Sequence, residues 1–267
     1  MKIKKLIAVD LDGTLLPRGE SELSVFSREF LKKLPEEYRL VLISGRPYRA
    51  MEKTIKGLGK IAPFVCYNGQ EIHYPYPHEK EEIVRYSFPL RSVYSFLEKT
   101  KGHIELVQAE NEDGIFFSER DLFLQRYFPV FDMPEEIGDV KTLLQDNPMS
   151  VVIRHKDEEF PFLLKAAEEE EGISLRHWNT CPYSELYIPG ISKGSALRTI
   201  RERYRLSKKD VIAFGDGDND FEMLSEAGEA YAMKDSPSKK LEGNFPKTAY
   251  TSKEDGVVRE LQRILGD

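Results

Sequence analysis

The stretch that decides the fold is Leu6-Ile-Ala-Val-Asp10-Leu-Asp12-Gly-Thr14, in which a short apolar run passes directly into a polar segment containing glycine. A continuous apolar run of this length is typical of a strand buried on both faces, as in parallel sheets covered by helices on both sides. In open α/β sheets, ligands bind beyond the carboxyl ends of the strands. We therefore expect Asp10 and Asp12 at a ligand site.

The same arrangement recurs at three later points of the chain. The apolar runs Leu40–Ile43, Phe64–Cys66 and Val211–Phe214 are followed by the polar segments Ser44-Gly-Arg46, Tyr67-Asn68-Gly69 and Gly215-Asp-Gly-Asp-Asn-Asp220. Apolar residues at helical spacing lie between the first runs, which gives an alternation of strands and helices. This alternation predicts an α/β fold with a doubly wound, Rossmann-like core around a parallel sheet.

The alternation is interrupted in the middle of the chain and resumes after Lys193. The turn-rich segment Tyr74–His78 and the charge run Glu79–Glu82 indicate a linker. Beyond it, extended segments are mixed with helical ones: Ile83–Phe88, His103–Ala109, Gly114–Ser118 and Ser150–His155 are predicted extended, and Leu90–Lys99, Leu122–Phe128 and Phe160–Glu170 helical. We expect a catalytic core from residues 1–81 and 186–267, with an inserted α+β cap domain at residues 82–185.

Composition limits the partners and the compartment. The net charge of −7 disfavours a broad surface for nucleic acid or anionic membranes. The apolar run after the basic N-terminus is too short for a secretory signal or a membrane span, which predicts a cytoplasmic protein. We further expect a monomer or small homo-oligomer. Cys66 and Cys181 show neither disulfide nor zinc-ligand spacing, so no zinc site is expected, and Cys66 is predicted to be a core residue.

The acidic residues indicate a magnesium site. Asp10 and Asp12 stand two apart on an extended segment, so both side chains can lean toward one face. Further carboxylates, at Asp216, Asp218 and Asp220, follow another strand end. Oxygen ligands with few nitrogens or sulfurs favour Mg²⁺ over zinc.

Other residues are suited to holding a phosphate. Ser44, with the backbone of Gly45 and Arg46, precedes a predicted helix, where backbone N–H groups and the helix dipole attract anions. Lys193 also precedes a helix and adds a movable positive charge. The groups needed to bind and attack a phosphate dianion are therefore present.

Taken in order, Asp10-x-Asp12-Gly, Ser44, Lys193 and Gly215-Asp216-x-x-Asn219-Asp220 resemble the motifs of the haloacid dehalogenase-like superfamily. The position of the insertion resembles that of the Cof-type phosphatases, which carry a large α/β cap between the second and third motifs. Tyr67-Asn68-Gly69, the run LYIPGISKGSAL at 186–197 and Asp255-Gly-Val257 also resemble Cof-type chains. The segment Lys234–Pro237 departs from their pattern, which often has Asn-Ala after the preceding methionine.

The resemblance implies a role for each matching residue. Asp10 would attack phosphorus and become an aspartyl-phosphate, and Asp12 would protonate the leaving alcohol and then activate water. Mg²⁺ would be held by Asp10, the backbone carbonyl of Asp12 and Asp216. The phosphate would be bound by Ser44, Gly45, Arg46, Lys193 and Asn219, with Asn68 and Asp220 in support.

The function expected is that of a Mg²⁺-dependent phosphatase acting on a small phosphorylated metabolite, with a sugar phosphate as the expected substrate class. Two alternatives stay open. A phosphomannomutase-like phosphotransferase would use the same nucleophile and return the phosphoryl group to the sugar. A non-enzymatic phosphate-binding or phospho-switch module would resemble response-regulator receivers, which are shorter and have no cap; the presence of Asp12 argues against it.

Overall fold

The computed structural model describes residues 3–56, 58, 63–74, 82–127, 133–178 and 181–266. The strands in this part of the chain are β1 Lys5–Val9, β2 Tyr38–Ile43, β3 Phe64–Cys66, β4 Glu71–Tyr74, β5 Glu82–Arg85, β6 Leu106–Glu110, β7 Ile115–Phe117, β8 Glu135–Ile137, β9 Ser150–Arg154, β10 Ser174–His177, β11 Tyr183–Tyr187, β12 Val211–Gly215 and β13 Glu229–Ala232. The α-helices are α1 Val25–Lys32, α2 Tyr48–Lys56, α3 Leu90–Lys99, α4 Leu124–Tyr127, α5 Val140–Leu143, α6 Phe160–Glu168, α7 Lys193–Arg203, α8 Phe221–Ser225 and α9 Gly256–Leu265.

The chain divides into two compact units, Met1–Val84 with Ile191–Asp267, and Arg85–Gly190. The boundaries expected from the sequence lie a few residues earlier, at 81/82 and 185/186. Most of the predicted linker, residues 75–81, lies outside the described residues. No described helix combines the length and the hydropathy that crossing a membrane requires.

The first unit is built on a seven-stranded sheet in the order β13-β12-β1-β2-β3-β4-β5. The pairs from β13 to β3 are all parallel, as the alternation of strands and helices predicts. One edge of the sheet departs from the parallel arrangement, because β4 pairs antiparallel with β3. The turn Tyr67-Asn68-Gly69 reverses the chain there, so no crossover helix intervenes.

Both faces of the sheet are buried at its central strands, which explains their continuous apolar runs. Ile7 and Val9 point to one core cluster, and Leu6 and Ala8, which alternate with them, point to the other. Helices α1 and α9 supply residues to the first cluster, and α7 and α8 to the second. The predicted doubly wound α/β architecture is confirmed.

The second unit contains a six-stranded sheet in the order β10-β11-β9-β6-β7-β8. Its pairs are antiparallel except β7 with β8. A core cluster with residues of α3, α5 and α6 packs against it. The α+β prediction for this region is therefore confirmed as a fold class.

Several details of the second region differ from the expectation. The helix Leu90–Lys99 has the predicted bounds, but β6 begins only at Leu106, because residues 101–103 form a turn. Strands β8, β10 and β11 were not predicted from the sequence. Polar and charged residues such as Arg176 and Glu185 interrupt the apolar pattern of β10 and β11, and these two side chains pair with each other across the strands.

Candidate active site

A buried lysine joins two carboxylates at the centre of the site. Lys193 is the first residue of α7, whose N-cap is Ser192. Its Nζ donates to Oδ1 of Asp10 at 2.6 Å and to Oδ1 of Asp220 at 2.6 Å. Lys193 is 2% exposed, Asp10 4% and Asp220 0%. Charge-assisted hydrogen bonds of this kind hold all three groups in fixed positions.

Asp220 also fixes the loop that follows β12. Its second carboxylate oxygen accepts hydrogen bonds from the backbone N–H groups of Asp216 and Gly217, both at 2.9 Å. The loop is thereby closed on itself directly beyond the carboxyl end of β12. This closure places the side chain of Asp216 beside that of Asp10.

Three buried carboxylates therefore come together from two strand ends. Ligand oxygens of Asp10, Asp216 and Asp220 all lie within 4.8 Å of one another. Oxygen-only donors in this arrangement suit a hard cation such as Mg²⁺. Two cationic side chains, Lys193 and Arg18, pair with these three carboxylates among the described contacts, so a net negative charge remains to attract a divalent cation.

The ionisation of these groups reflects their burial and their mutual repulsion. Burial raises the pKa of Asp10 well above its ordinary value, and the neighbouring Asp220 carboxylate adds to the rise, while Lys193 opposes it. Burial and Asp220 likewise raise the pKa of Asp216 to about 6. Burial alone would lower the pKa of Lys193, but Asp10 and Asp220 outweigh it and raise that pKa.

Asp12 does not join the three carboxylates. Its side chain forms a two-point ion pair with Arg46, whose Nε lies 2.8 Å from Oδ2 of Asp12 and whose terminal nitrogen pairs with Oδ1. The backbone N–H of Arg46 donates to the Ser44 hydroxyl at 3.0 Å. The sequence analysis predicted Arg46 as a phosphate ligand. In the structure its side chain instead orients Asp12, the second candidate catalytic residue.

Two asparagines connect the ends of β3 and β12. Asn68 is in the left-handed region, with φ of 54°, and its Oδ1 accepts a hydrogen bond from Nδ2 of Asn219 at 2.9 Å. The Asn68 backbone N–H donates to the carbonyl of Ser44 at 3.0 Å. A Cβ at Gly45 would lie 3.1 Å from the Asn68 amide. The residues predicted from the second motif and from the segment Tyr67-Asn68-Gly69 are thus packed together.

Sequence reasoning missed two contacts of Asp216. The guanidinium of Arg18 forms an ion pair with its carboxylate, and the Ser236 hydroxyl donates to its backbone carbonyl at 2.6 Å. The sequence contained one indication for Ser236, because this residue lies in the segment Lys234–Pro237, which departs from the Cof-type pattern. Arg18 carried no signal. Asp218 is exposed and bonds to Ser238, away from the three buried carboxylates.

Comparisons with known proteins indicate the family of this chain. A profile of the family described as haloacid dehalogenase-like hydrolase matches residues 7–261. The chain is 32% identical to 5-amino-6-(5-phospho-D-ribitylamino)uracil phosphatase YitU of Bacillus subtilis (strain 168), over 97% of each chain. It is 24% identical to 5-amino-6-(5-phospho-D-ribitylamino)uracil phosphatase YbjI of Escherichia coli (strain K12), over 98% of this chain and 96% of that one.

A solved haloacid dehalogenase-like hydrolase from Bacteroides thetaiotaomicron superposes with a TM-score of 0.82 at 25% identity, covering 97% of this chain and 99% of that one. The predicted class of enzyme, a phosphoric monoester hydrolase, and the predicted resemblance are both confirmed. The chain belongs to the haloacid dehalogenase-like hydrolase family.

Proposed function

We propose that this protein is a Mg²⁺-dependent phosphatase that hydrolyses a small phosphorylated metabolite through an aspartyl-phosphate on Asp10. The observation that carries the proposal is the contact of Lys193 with both Asp10 and Asp220, at 2.6 Å each, beside the carboxylate of Asp216. A buried carboxylate next to a buried ammonium is suited to attacking a phosphoryl group whose oxygens the ammonium binds.

The residues present fit a magnesium ion. Asp10 and Asp216 would hold it, together with the backbone carbonyl of Asp12 that the family resemblance indicates, and Asp220 lies within reach of the same cluster. When bound, Mg²⁺ would neutralise negative charge and polarise a phosphoryl oxygen.

The side chains would divide the reaction into two displacements. In the first, an Asp10 oxygen forms a bond to phosphorus, the bond from phosphorus to the ester oxygen breaks, and Asp12 gives its proton to the departing alcohol. In the second, Asp12 takes a proton from water, whose oxygen attacks phosphorus and restores the Asp10 carboxylate. Proton transfer of this kind typically contributes about 10²–10⁴-fold.

The phosphoryl oxygens would be held by Lys193, Ser44 and Asn219, with the backbone of Gly45 and Arg46 beside them. Asn68 and Asp220 would support these groups through Asn219 and Lys193. Arg46 would act chiefly by orienting Asp12, since its guanidinium is occupied by that carboxylate.

The names of two relatives support a proposal for the substrate class. Two of them are named for dephosphorylating 5-amino-6-(5-phospho-D-ribitylamino)uracil, which carries its phosphate on a ribityl chain. A ribityl phosphate shares its polyhydroxylated chain with sugar phosphates, the class expected from the sequence. We propose a phosphate ester of a polyhydroxylated chain as substrate, in a cytoplasmic enzyme without nucleic-acid or membrane partners.

The decisive experiment follows release of inorganic phosphate from a panel that includes 5-amino-6-(5-phospho-D-ribitylamino)uracil, ribose 5-phosphate, glucose 6-phosphate and pyridoxal phosphate. Each ester is assayed with Mg²⁺ and with EDTA. Asp10→Asn is the test variant, and Asp218→Asn, which alters an exposed carboxylate of the same loop, is the matched control. We expect release that needs Mg²⁺, is lost in Asp10→Asn by about 10³-fold or more, and persists in Asp218→Asn.

Other outcomes would favour the alternatives. Conversion of hexose 1-phosphate to hexose 6-phosphate with little phosphate release would indicate a phosphotransferase. A stable acyl-phosphate without turnover would indicate a phospho-switch module. Release that continues unchanged in Asp10→Asn would refute the aspartyl-phosphate mechanism.

A further inference from the structure

A second cluster of metal-ligating side chains lies in the first unit and shares no residue with the carboxylate site. It consists of Cys66, Glu71 and His73, which we call the Cys66 cluster. One ligand atom from each lies within 4.8 Å of the others. Cys66 is 0% exposed, Glu71 4% and His73 3%.

Strand pairing brings these three residues together. In the antiparallel pair of β3 and β4, Cys66 lies opposite Glu71 and Phe64 lies opposite His73. Residues two apart on a strand share a face, so all four side chains lie on the same face of the sheet. Helix α2 adds Met51, whose Sδ lies 3.6 Å from Sγ of Cys66.

The Cys66 cluster combines polar side chains with an apolar core. Cys66, Met51 and Phe64 belong to an apolar core cluster, yet Glu71 and His73 place an acid and a base in the same region and bond to each other. A buried Glu–His pair beside a thiol places three metal-ligating side chains together inside the fold.

The ring of His73 is held in one orientation. It stacks on Phe64, with ring centroids 4.4 Å apart, and on Tyr48, at 4.9 Å. Its Nε2 faces Oε1 of Glu71. The imidazole is thus held beside the Glu71 carboxylate, and both are ligand types found in protein zinc sites.

We propose that Cys66, Glu71 and His73 bind a thiophilic divalent cation of the zinc type, with the Met51 thioether beside the thiolate. Thiolate, imidazole and carboxylate are the three ligand types of protein zinc sites, with bonds of about 2.0–2.3 Å. Binding releases the thiol proton of Cys66, and the cation takes the place of the hydrogen bond between Glu71 and His73. Sequence spacing gave no hint of such a site, because its ligands come from strands paired across a turn.

The test uses the purified full chain with Co²⁺ as a spectroscopic probe, in excess Mg²⁺ so that the carboxylate site of Asp10 and Asp216 is occupied by magnesium. A thiolate bound to cobalt gives a near-ultraviolet charge-transfer band, which oxygen-only sites do not give. We expect this band in the wild type, its loss in Cys66→Ser, and its retention in Cys181→Ser, the matched control that removes the other cysteine.

His73→Gln is a second variant in the same cluster. Losing a residue that only supports a metal ligand typically weakens binding about 10- to 100-fold, and His73→Gln should weaken cobalt binding by more than that. X-ray absorption of the zinc-loaded wild type serves as a direct measurement that needs no variant to fold, and a sulfur neighbour of zinc is expected. A zinc shell of nitrogen and oxygen alone, a band that survives in Cys66→Ser, or no binding to the wild type would overturn the proposal.

Discussion

Lys193 Nζ lies 2.6 Å from Oδ1 of Asp10, although 183 positions separate the two residues along the chain. The same ammonium lies 2.6 Å from Asp220, 27 positions away. One side chain from the start of α7 thus balances charge on carboxylates that follow two different strands.

Replacement of Lys193 by methionine should abolish activity and also destabilise the fold. Without the ammonium, the carboxylates of Asp10 and Asp220 are buried beside each other with no hydrogen-bonded cation between them. Losing one partner of a buried ion pair costs about 3–5 kcal/mol. Chemical denaturation in EDTA should show this loss, and phosphate release should fall by at least about 100-fold.

The matched control is Lys239→Met, which changes an exposed lysine of the same unit. Its free energy of unfolding should stay within about 0.5 kcal/mol of the wild type. Equal stability in Lys193→Met and Lys239→Met would contradict the charge-balancing role.

Arg46→Lys should lower kcat about 10-fold or more with little change in folding. Arginine makes a two-point pair with Asp12, and lysine cannot reproduce that fork. If Arg46 orients Asp12, the loss appears in kcat and in the pH profile of kcat, whereas a pure phosphate ligand would mainly raise KM. Arg39→Lys, at the opposite end of β2 from Ser44, is the control and should leave both constants unchanged.

Arg18→Ala should increase the affinity for Mg²⁺. The guanidinium of Arg18 pairs with the Asp216 carboxylate, a proposed magnesium ligand, and so competes with the cation for it. Because the Arg18 side chain is 61% exposed, the pair is screened by solvent, and the gain should be at most about 5-fold. Titration of Mg²⁺ against activity measures it; weaker magnesium binding in Arg18→Ala would show that Arg18 supports the site instead.

Gly69→Ala should destabilise the turn between β3 and β4. Gly69 has φ of 113°, and a Cβ there would overlap the backbone carbonyl of Ser192. Strained backbone and overpacking together should cost at least about 2 kcal/mol. Gly243→Ala is the control, because a Cβ at this position would have open space around it. Gly243 also has a left-handed φ, of 76°, so this variant should lose only about 1–2 kcal/mol of stability.

The second unit should lose stability in acid through Asp121. Burial alone would raise the pKa of this carboxyl, but hydrogen bonds from Tyr183, Leu124 and Phe123, with the charge of Arg154, outweigh it and lower the pKa. A folded-state pKa below the unfolded value of about 3.9 stabilises the protein above that pH. The contribution is lost as pH falls through the folded-state pKa.

Asp121→Asn should therefore make the free energy of unfolding less dependent on pH below about pH 5, with lower stability at neutral pH. Trp178 is the single tryptophan, and its ring lies 5.9 Å from that of Tyr183, which bonds to Asp121. Its fluorescence reports unfolding of this unit. Asp146→Asn, an exposed change in the same unit, should behave as the wild type; identical acid profiles for both variants would exclude this role of Asp121.

The sequence predicted the parallel core well, because strands buried on both faces must be apolar throughout. The strand Phe64–Cys66 was predicted at its observed bounds, and β1, β2 and β12 within two residues at either end. The less regular second unit was harder, since β10 and β11 carry charged side chains that pair across strands. Charged pairs of this kind interrupt the alternation of apolar and polar residues that otherwise identifies a strand in the sequence.

The sequence by itself determined which side chains follow the strand ends, since parallel strands carry their carboxyl ends to one edge of the sheet. The meeting of Asp10 and Asp216 follows from that rule, whereas Lys193 reaches them from the start of α7. Only the tertiary structure decided which partner each side chain takes. Arg46 pairs with Asp12, Arg18 pairs with Asp216, and Cys66 lies near His73. The paths of the loops and the register of the strands set these distances, and local sequence does not encode either.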